Sequence, residues 1–327
     1  MPNKIDDKVA DRIRGTILAS ACANSMGGSC IGLTRREIVA SLGPQAIRDL
    51  SPGLLRSHLP GHEPGTILAD TYLALAIADS LIAHKGKFDS ADLKGRLKGL
   101  LESEPFLKGA PGAPCLAALR RMADGEEPVN DGSLEALHDS AAVRAYLVGC
   151  LPDKSKIVDI AVEQAKLTHA DSRVWSAAAV IAESVSGFIS GKRLDTEQEV
   201  RDFVKTEFAT AQKIDARFAE YWDDVAPDLD YIHPAHELPY SLVNVESDVQ
   251  EAVPTAVGIF LIFRHNLEEA LCAAASAGGD TDTASAVVGA LSGAYHGASA
   301  IPERWLKQLP DRNKLEAAAD RLIALWQ

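Results

Sequence analysis

Apolar residues recur at helical spacing along the whole of this 327-residue chain, and this periodicity restricts the fold more than any other feature. One stripe consists of Val174, Ala178, Ile181, Ala182, Val185 and Ile189, a second of Leu73, Ile77 and Leu81, and a third of Leu315, Leu322 and Leu325. No segment shows the clean alternation of a half-buried strand, and no long low-complexity linker divides the chain. The sequence therefore predicts an all-α protein with a single domain over residues 1–327.

The composition supports this prediction and excludes some classes of partner. Aromatic residues make up only 6% of the chain, which suits close-packed helices better than sheets. The net charge of −13 argues against a nucleic-acid partner, because phosphate binding needs clustered Lys and Arg. The uncharged stretch from Thr283 to Pro302 is too rich in Ala, Gly and Ser to insert into a bilayer, so we expect a buried helix and no membrane partner.

The N-terminal segment and the cysteines predict a cytoplasmic protein. Residues 1–11 are charged and contain no apolar stretch, so we expect no signal peptide. The five cysteines are odd in number and scattered, which predicts free thiols instead of disulfides or a zinc site.

Small residues mark a close helix contact near the C-terminus. Gly289, Gly293 and Gly297 lie four apart on the helix that follows Thr283, which would let another helix backbone approach. The preceding helix is predicted to begin after the N-cap Asn266, to run from Leu267 to Ala277, and to end at Gly278 as a left-handed C′ residue.

Between these two helices lies an acidic turn, Gly278-Gly279-Asp280-Thr281-Asp282-Thr283. Two carboxylates and the Thr283 hydroxyl within four residues suit a hard cation such as Mg²⁺ or Mn²⁺. The alternative is structural: Asp280 or Asp282 caps the next helix by accepting its free N–H groups. The local chemistry leaves both interpretations open.

The wider pattern resembles the ADP-ribosylglycohydrolase family. Its most specific part is the acidic turn, followed by an Ala- and Gly-rich helix and by Ile301-Pro302-x-x-Trp305. Weaker similarities occur in the family's order at Arg14-Gly15 through Gly27, Gly65 to Leu81, Gly109 to Gly112, Ala141 to Arg144, Thr168-His169 and Val253 to Ala256. The resemblance covers roughly residues 10 to 310.

The resemblance implies an all-helical hydrolase that cleaves the bond between ADP-ribose and a modified side chain or small acceptor, generally with two bridged Mg²⁺ or Mn²⁺ ions. It assigns the cation to Asp280, Asp282 and Thr283, with Asp70 as a further ligand. Contacts to the ADP-ribosyl ligand are implied for Gly109, Gly112, Asp139, Ser140, Arg144 and His169.

Four positions depart from the family pattern of metal and catalytic residues. Asn24 stands where an aspartate is usual, and Ile31 where a glutamate is often found that acts on the reaction in some members. Leu68 and Ala69 replace two of the three ligands in a Thr-Asp-Asp motif, leaving Asp70. The remaining donors suit one hard cation with several waters instead of two bridged ions.

A fifth departure affects phosphate binding. The family's Gly-Asn-Gly loop is His138-Asp139-Ser140 here. Glycines would let backbone N–H groups approach a phosphate, whereas Asp139 brings a carboxylate to that place.

Several other residues keep two interpretations each. His169 contacts a ligand or is a structural histidine, and Arg144 binds a phosphate or forms an ion pair. His233 and His236 are separated by proline, which excludes helical zinc spacing, although the loop 226–239 that contains them is long enough to be a lid.

Two hypotheses follow. The first is a divergent, metal-dependent hydrolase that acts on an ADP-ribosyl or related ribosyl group, for which the sequence identifies no catalytic residue. The second is a family descendant without catalysis that serves as a binding or structural protein, as in the related lens crystallins. The intact acidic turn favours the first, and the residues at positions 24, 31, 68 and 69 favour the second.

Overall fold

The computed structural model describes residues 5–220, 238 and 242–327. Its α-helices are α1 (Asp7–Gly28), α2 (Arg35–Leu42), α3 (Ala69–Ala83), α4 (Ser90–Leu100), α5 (Glu104–Lys108), α6 (Ala113–Asp124), α7 (Leu134–Leu137), α8 (Ser140–Val143), α9 (Ile157–Lys166), α10 (Ser172–Ile189), α11 (Glu197–Ile214), α12 (Ala216–Glu220), α13 (Val249–Ile262), α14 (Leu267–Ala275), α15 (Thr281–His296), α16 (Glu303–Leu306) and α17 (Arg312–Ile323). In these described residues β-type pairing is limited to isolated bridges, so the all-α prediction is confirmed.

Several helices begin where a polar side chain accepts one of the first free backbone N–H groups. Asp6 accepts from the N–H of Lys8 at 2.8 Å and starts α1. Asn266 accepts from the N–H of Glu269 at 3.2 Å and starts α14, as the sequence predicts.

The end of α14 differs from the sequence prediction. The helix stops at Ala275 and Ser276 is its C-cap, so Ala277 occupies the C′ position and Gly278, the predicted C′ residue, lies one residue beyond it. Outside partners end the helix early: the Ser276 carbonyl accepts from Arg35 at 2.8 Å, and its hydroxyl accepts from the N–H of Ile47 at 3.0 Å. Gly278 does have the predicted positive φ, at 88°.

The most extensive helix contact in the described residues joins α1 to α15. A Cβ atom added at Gly293 would lie 2.0 Å from the carbonyl oxygen of Gly15, and one at Gly289 would lie 2.5 Å from that of Ala19. The two backbones are therefore in direct contact, which confirms the predicted close approach.

Gly297 has a different role from the one predicted. It is the C-cap of α15 with a φ of 89°, and the Asp11 carboxylate occupies the space where its Cβ would be. Glycine is required there by the left-handed backbone that ends the helix.

The predicted apolar stripes lie in α10, α3 and α17, and their residues are buried except Leu325, which is half-buried beyond α17. The five cysteines are buried and free, as predicted. Within the described residues, no helix combines the length and the apolar character needed to cross a membrane.

The close contact between α1 and α15 predicts that an alanine substitution destabilises the protein at a glycine in the contact but not at an exposed glycine. Gly293→Ala should lower the free energy of unfolding by about 3 kcal/mol, because its methyl group meets backbone atoms. Gly95→Ala in α4 is the control: a Cβ there meets open space, so stability should rise by about 0.5–1 kcal/mol. Urea denaturation measures both, and equal effects of the two substitutions would contradict the contact.

Candidate functional site

The acidic turn is fixed by backbone hydrogen bonds to two other segments. The N–H of Gly279 donates to the carbonyl of Leu33 at 2.8 Å, and the N–H of Asp280 donates to that of Val245 at 2.7 Å. A Cβ at Gly279 would lie 2.0 Å from the Val245 carbonyl oxygen, so only glycine fits at this point. The turn thereby gives the carboxyls that follow it a defined position.

The two aspartates occupy capping positions without making capping hydrogen bonds. Asp280 is the N-cap of α15, but its side chain accepts no N–H from the helix, and Asp282 lies in the first turn. Asp282 is buried and its Oδ1 atom has no hydrogen-bond partner. The α15 N-terminus favours negative charge at this place. Capping therefore does not account for the burial of the Asp282 carboxyl.

Asn24 of α1 connects the two acidic segments. Its Nδ2 donates to Asp70 Oδ2 at 3.0 Å and to the backbone carbonyl of Asp282 at 3.3 Å. Its Oδ1 accepts from the N–H of Leu68 at 3.0 Å and from the Thr71 hydroxyl at 2.9 Å. One buried amide thus uses its donors and its acceptor to hold the start of α3 against the start of α15.

Asp70 and Thr283 meet at this junction. The Thr283 hydroxyl donates to Asp70 Oδ2 at 3.4 Å. Burial, together with the neighbouring Asp280 carboxyl, raises the pKa of Asp70 to about 7. The same two causes raise the pKa of Asp282 well above its ordinary value. The structure therefore brings all four predicted cation ligands together.

Asp139 adds a further carboxyl near the acidic cluster. It is fully buried, both of its oxygens lack a hydrogen-bond partner although Oδ1 lies 3.3 Å from His138 Nδ1, and burial together with Asp280 raises its pKa well above the ordinary range. The N–H of Asp139 donates to the Ser247 carbonyl at 3.2 Å, and that of Ser140 donates to His138 Nδ1 at 3.2 Å. Neither of these two N–H groups is free for an anion.

Arg144 and His169 belong to a buried polar network behind the site. The guanidinium donates to the Gln164 side chain at 2.7 Å and to the Thr168 hydroxyl at 2.8 Å, and the Thr168 hydroxyl lies 2.9 Å from His169 Nδ1. His169 Nε2 has no partner, and burial lowers the pKa of this histidine well below its usual value. The hydrogen-bond partners of Arg144 are thus neutral groups, and within the described residues it forms no ion pair with a carboxylate.

Two connected pockets open at the cluster. The first has a volume of about 160 Å³ and is lined by Asp70, Asp280, Asp282 and Thr283 together with Ser140 and Gly112. The second has a volume of about 280 Å³ and shares Ile31, His58, Ser247 and Asp280 with the first. The lining of both excludes Gly109, His169 and Arg144. Gly109 instead contacts the start of α3, where its carbonyl accepts a hydrogen bond from the N–H of Ala69 at 2.9 Å.

The departures from the family pattern do not fill the pocket. Leu68 is buried away from it, with its side chain near Gly28 and His62. Ile31 lines the pocket wall without closing it. Glu37 does not replace the missing glutamate, because it caps α2 together with Thr34 and lies 3.3 Å from Arg56.

Some site residues carry no signal in the sequence. His58 and Ser247 lie in irregular segments, and only the pairing of those segments with the acidic turn brings them to the pockets. The predictions for His233, His236 and the lid at 226–239 concern residues that, apart from Leu238, lie outside the described part of the chain.

The site contains oxygen donors of the kind that a divalent cation needs. Across the described residues, no three His, Cys, Asp or Glu side chains are arranged as a ready metal cluster. The set does include the buried, unpartnered Asp282 Oδ1, the carboxyls of Asp70 and Asp280, and the Thr283 hydroxyl. These are hard oxygen donors, and they fit one ion whose remaining ligands are waters.

Comparison with known proteins gives one consistent result. The family model described as ADP-ribosylglycohydrolase matches residues 5–327. The chain is 26% identical to the uncharacterized protein YegU of Escherichia coli, with 94% of each chain covered. It is 24% identical to the ADP-ribosyl-[dinitrogen reductase] glycohydrolase of Rhodospirillum rubrum, with 97% of each covered. A solved ADP-ribosylglycohydrolase-related protein complex matches with a TM-score of 0.72 and 25% identity, over 98% of this chain and 100% of the other.

The contacts of Asn24 predict a large loss of stability when its amide is removed. Asn24→Leu leaves the Leu68 N–H and the Thr71 hydroxyl unpaired in the interior, so the free energy of unfolding should fall by about 3 kcal/mol. Ser20→Ala is the matched control in the same helix, because Ser20 makes one buried hydrogen bond, to Ala286, and should lose about 1 kcal/mol. Similar losses for the two variants in urea denaturation would refute the connecting role of Asn24.

Proposed function

The chain belongs to the ADP-ribosylglycohydrolase family, and on that premise we propose that it is a metal-dependent hydrolase of a glycosidic bond to an ADP-ribosyl or related ribosyl group. The main support is the cluster of buried Asp70 and Asp282 with half-buried Asp280, which has an unpartnered oxygen on Asp282 and lies at the edge of a pocket. Burying carboxyls without partners costs free energy, which a bound cation would offset.

The proposed cofactor is Mg²⁺ or Mn²⁺, held by Asp70, Asp280, Asp282 and Thr283. A single ion is proposed, because Leu68 and Ala69 supply no side-chain donor where the family motif has two ligands. When bound, such an ion supplies Lewis-acid activation of a sugar hydroxyl and of a water.

The side chains of the pocket have distinct parts in the proposed reaction. Glycosidic cleavage develops positive charge at the anomeric carbon, and the carboxylates of Asp280 and Asp282 stabilise that charge. Asn24 keeps Asp70 and the start of α15 in register by direct hydrogen bonds. The apolar wall at Leu73, Ala110 and Pro111 limits the access of bulk water.

A second candidate function is binding without catalysis. It is favoured by Ile31, which lines the pocket where the family resemblance implies a reacting glutamate in some members. An inactive protein would still bind cation and ligand but would release no product, so binding and turnover must be measured separately.

The proposed location is the cytoplasm. All five cysteines are free and buried, and an oxidising compartment more often contains proteins with disulfides.

The cation proposal predicts that Asp282→Asn abolishes Mn²⁺ binding in calorimetric titration. The substitution keeps the side-chain volume and removes one ligand charge. The folded protein should survive, because the variant relieves repulsion among buried carboxyls. Its melting temperature without cation should match or exceed that of the wild type.

Glu207→Gln is the matched control for this experiment. Glu207 is also a buried carboxyl without hydrogen-bond partners, but it lies in α11, outside the linings of both site pockets. This variant should bind Mn²⁺ as the wild type does. Equal binding by the wild type and Asp282→Asn would disprove the site, and so would the absence of Mn²⁺ binding to the wild type.

A further inference from the structure

The walls of the two pockets carry more acidic than basic groups, and the basic ones are histidines, His138 in the first pocket and His58 in both. Among the described residues that line them, none is Lys or Arg. Asp70, Asp280 and Asp282 lie in the first pocket, and Glu246 lies at the exposed edge of the second. Three carboxylates around one divalent cation still leave a net negative charge. A pyrophosphate would therefore enter a region of its own sign.

Three basic side chains that are close in sequence to residues of the pocket lining have partners outside the pockets. Arg144 is buried in its hydrogen bonds to Gln164 and Thr168. Arg56 pairs with Glu37 at 3.3 Å, and Lys108 pairs with Glu104 at 2.7 Å. The sequence of residues 221–241 contains no Lys or Arg, and its basic residues are His233 and His236.

Several backbone N–H groups at the cluster, the other common means of binding phosphate, also have acceptors within the protein. The N–H groups of Asp139 and Ser140 donate within the protein, and those of Leu68 and Ala69 donate to Asn24 and Gly109. The N-terminus of α6 borders the pocket at Gly112, but Pro114 removes one of its free N–H groups.

The volume of the first pocket also favours a small ligand without a pyrophosphate. The pocket at the carboxyl cluster has a volume of about 160 Å³, below the roughly 300–1,000 Å³ of pockets that enclose drug-sized ligands. It suits a single sugar ring. The rest of a larger ligand would lie in the second pocket, beside Asp280 and Glu246.

We infer that the preferred substrate is a ribosyl compound without phosphate groups, with a neutral or cationic leaving group, instead of an ADP-ribosyl compound. This inference rests on the proposed function and specifies the substrate of the same site. The second pocket holds the leaving group, and its acidic edge favours a hydrogen-bond donor or a positive charge.

The test is calorimetric titration of ribose, ribose 5-phosphate and ADP-ribose into the wild-type protein at fixed excess Mn²⁺, with blank titrations to correct for Mn²⁺ binding by each ligand. The three ligands share one sugar and differ in phosphate content. Ribose should bind at least about tenfold more tightly than ADP-ribose, with ribose 5-phosphate between them. Tighter binding of ADP-ribose than of ribose would overturn the inference and leave the proposed function standing. Absence of binding by all three ligands would overturn both.

A variant supplies the converse test. Replacing His138→Gly, Asp139→Asn and Ser140→Gly introduces the glycine loop that the family resemblance implies, and removes one buried carboxyl. Affinity for ADP-ribose should rise at least about tenfold relative to ribose. If the triple variant does not fold, Asp139→Asn alone replaces it in the test. This single variant retains the loop backbone and should shift the ligand preference in the same direction. An unchanged preference in a folded variant would contradict the assigned role of this loop.

Discussion

The direct backbone contact between α1 and α15 is the interaction on which the site depends. Because Gly15 faces Gly293 and Ala19 faces Gly289 without intervening side chains, the two helices lie close enough for Asn24 to reach the backbone of Asp282. The same amide holds Leu68 and Asp70 at the start of α3. Larger residues at the glycine positions would separate the helices and with them the two groups of proposed cation ligands.

The site combines a hydrogen-bonded turn, which stabilises the fold, with buried carboxyls, which destabilise it. The Gly278–Asp280 turn is held by paired backbone segments, while the carboxyls of Asp139 and Asp282 are buried with unpartnered oxygens. Burial and mutual repulsion raise the pKa values of both groups, which shows that the folded protein holds these carboxyls together at a cost. Such arrangements are found at functional sites more often than in ordinary cores. The combination is the physical basis for the proposed cation site and for the inferred preference against phosphate.

The sequence predicted the helical fold, the close helix contact and the family, because periodicity and the acidic turn are local signals. It did not indicate that Asn24, which stands where the family usually has an aspartate, makes four hydrogen bonds that join the starts of α3 and α15. The placement of His58 and Ser247 could not be predicted, since it depends on pairing between distant irregular segments. The end of α14 and the role of Gly297 depend likewise on tertiary partners, Arg35 and Asp11.

The cation site is tested most directly by anomalous X-ray diffraction from crystals grown with Mn²⁺. A single strong peak bounded by Asp70, Asp280, Asp282 and Thr283 is predicted, with water completing the coordination of the ion. Two peaks within bridging distance would contradict the single-ion site. No peak at this position, in crystals soaked to saturation, would contradict the cation site itself and favour a protein that retains the family fold without its metal chemistry.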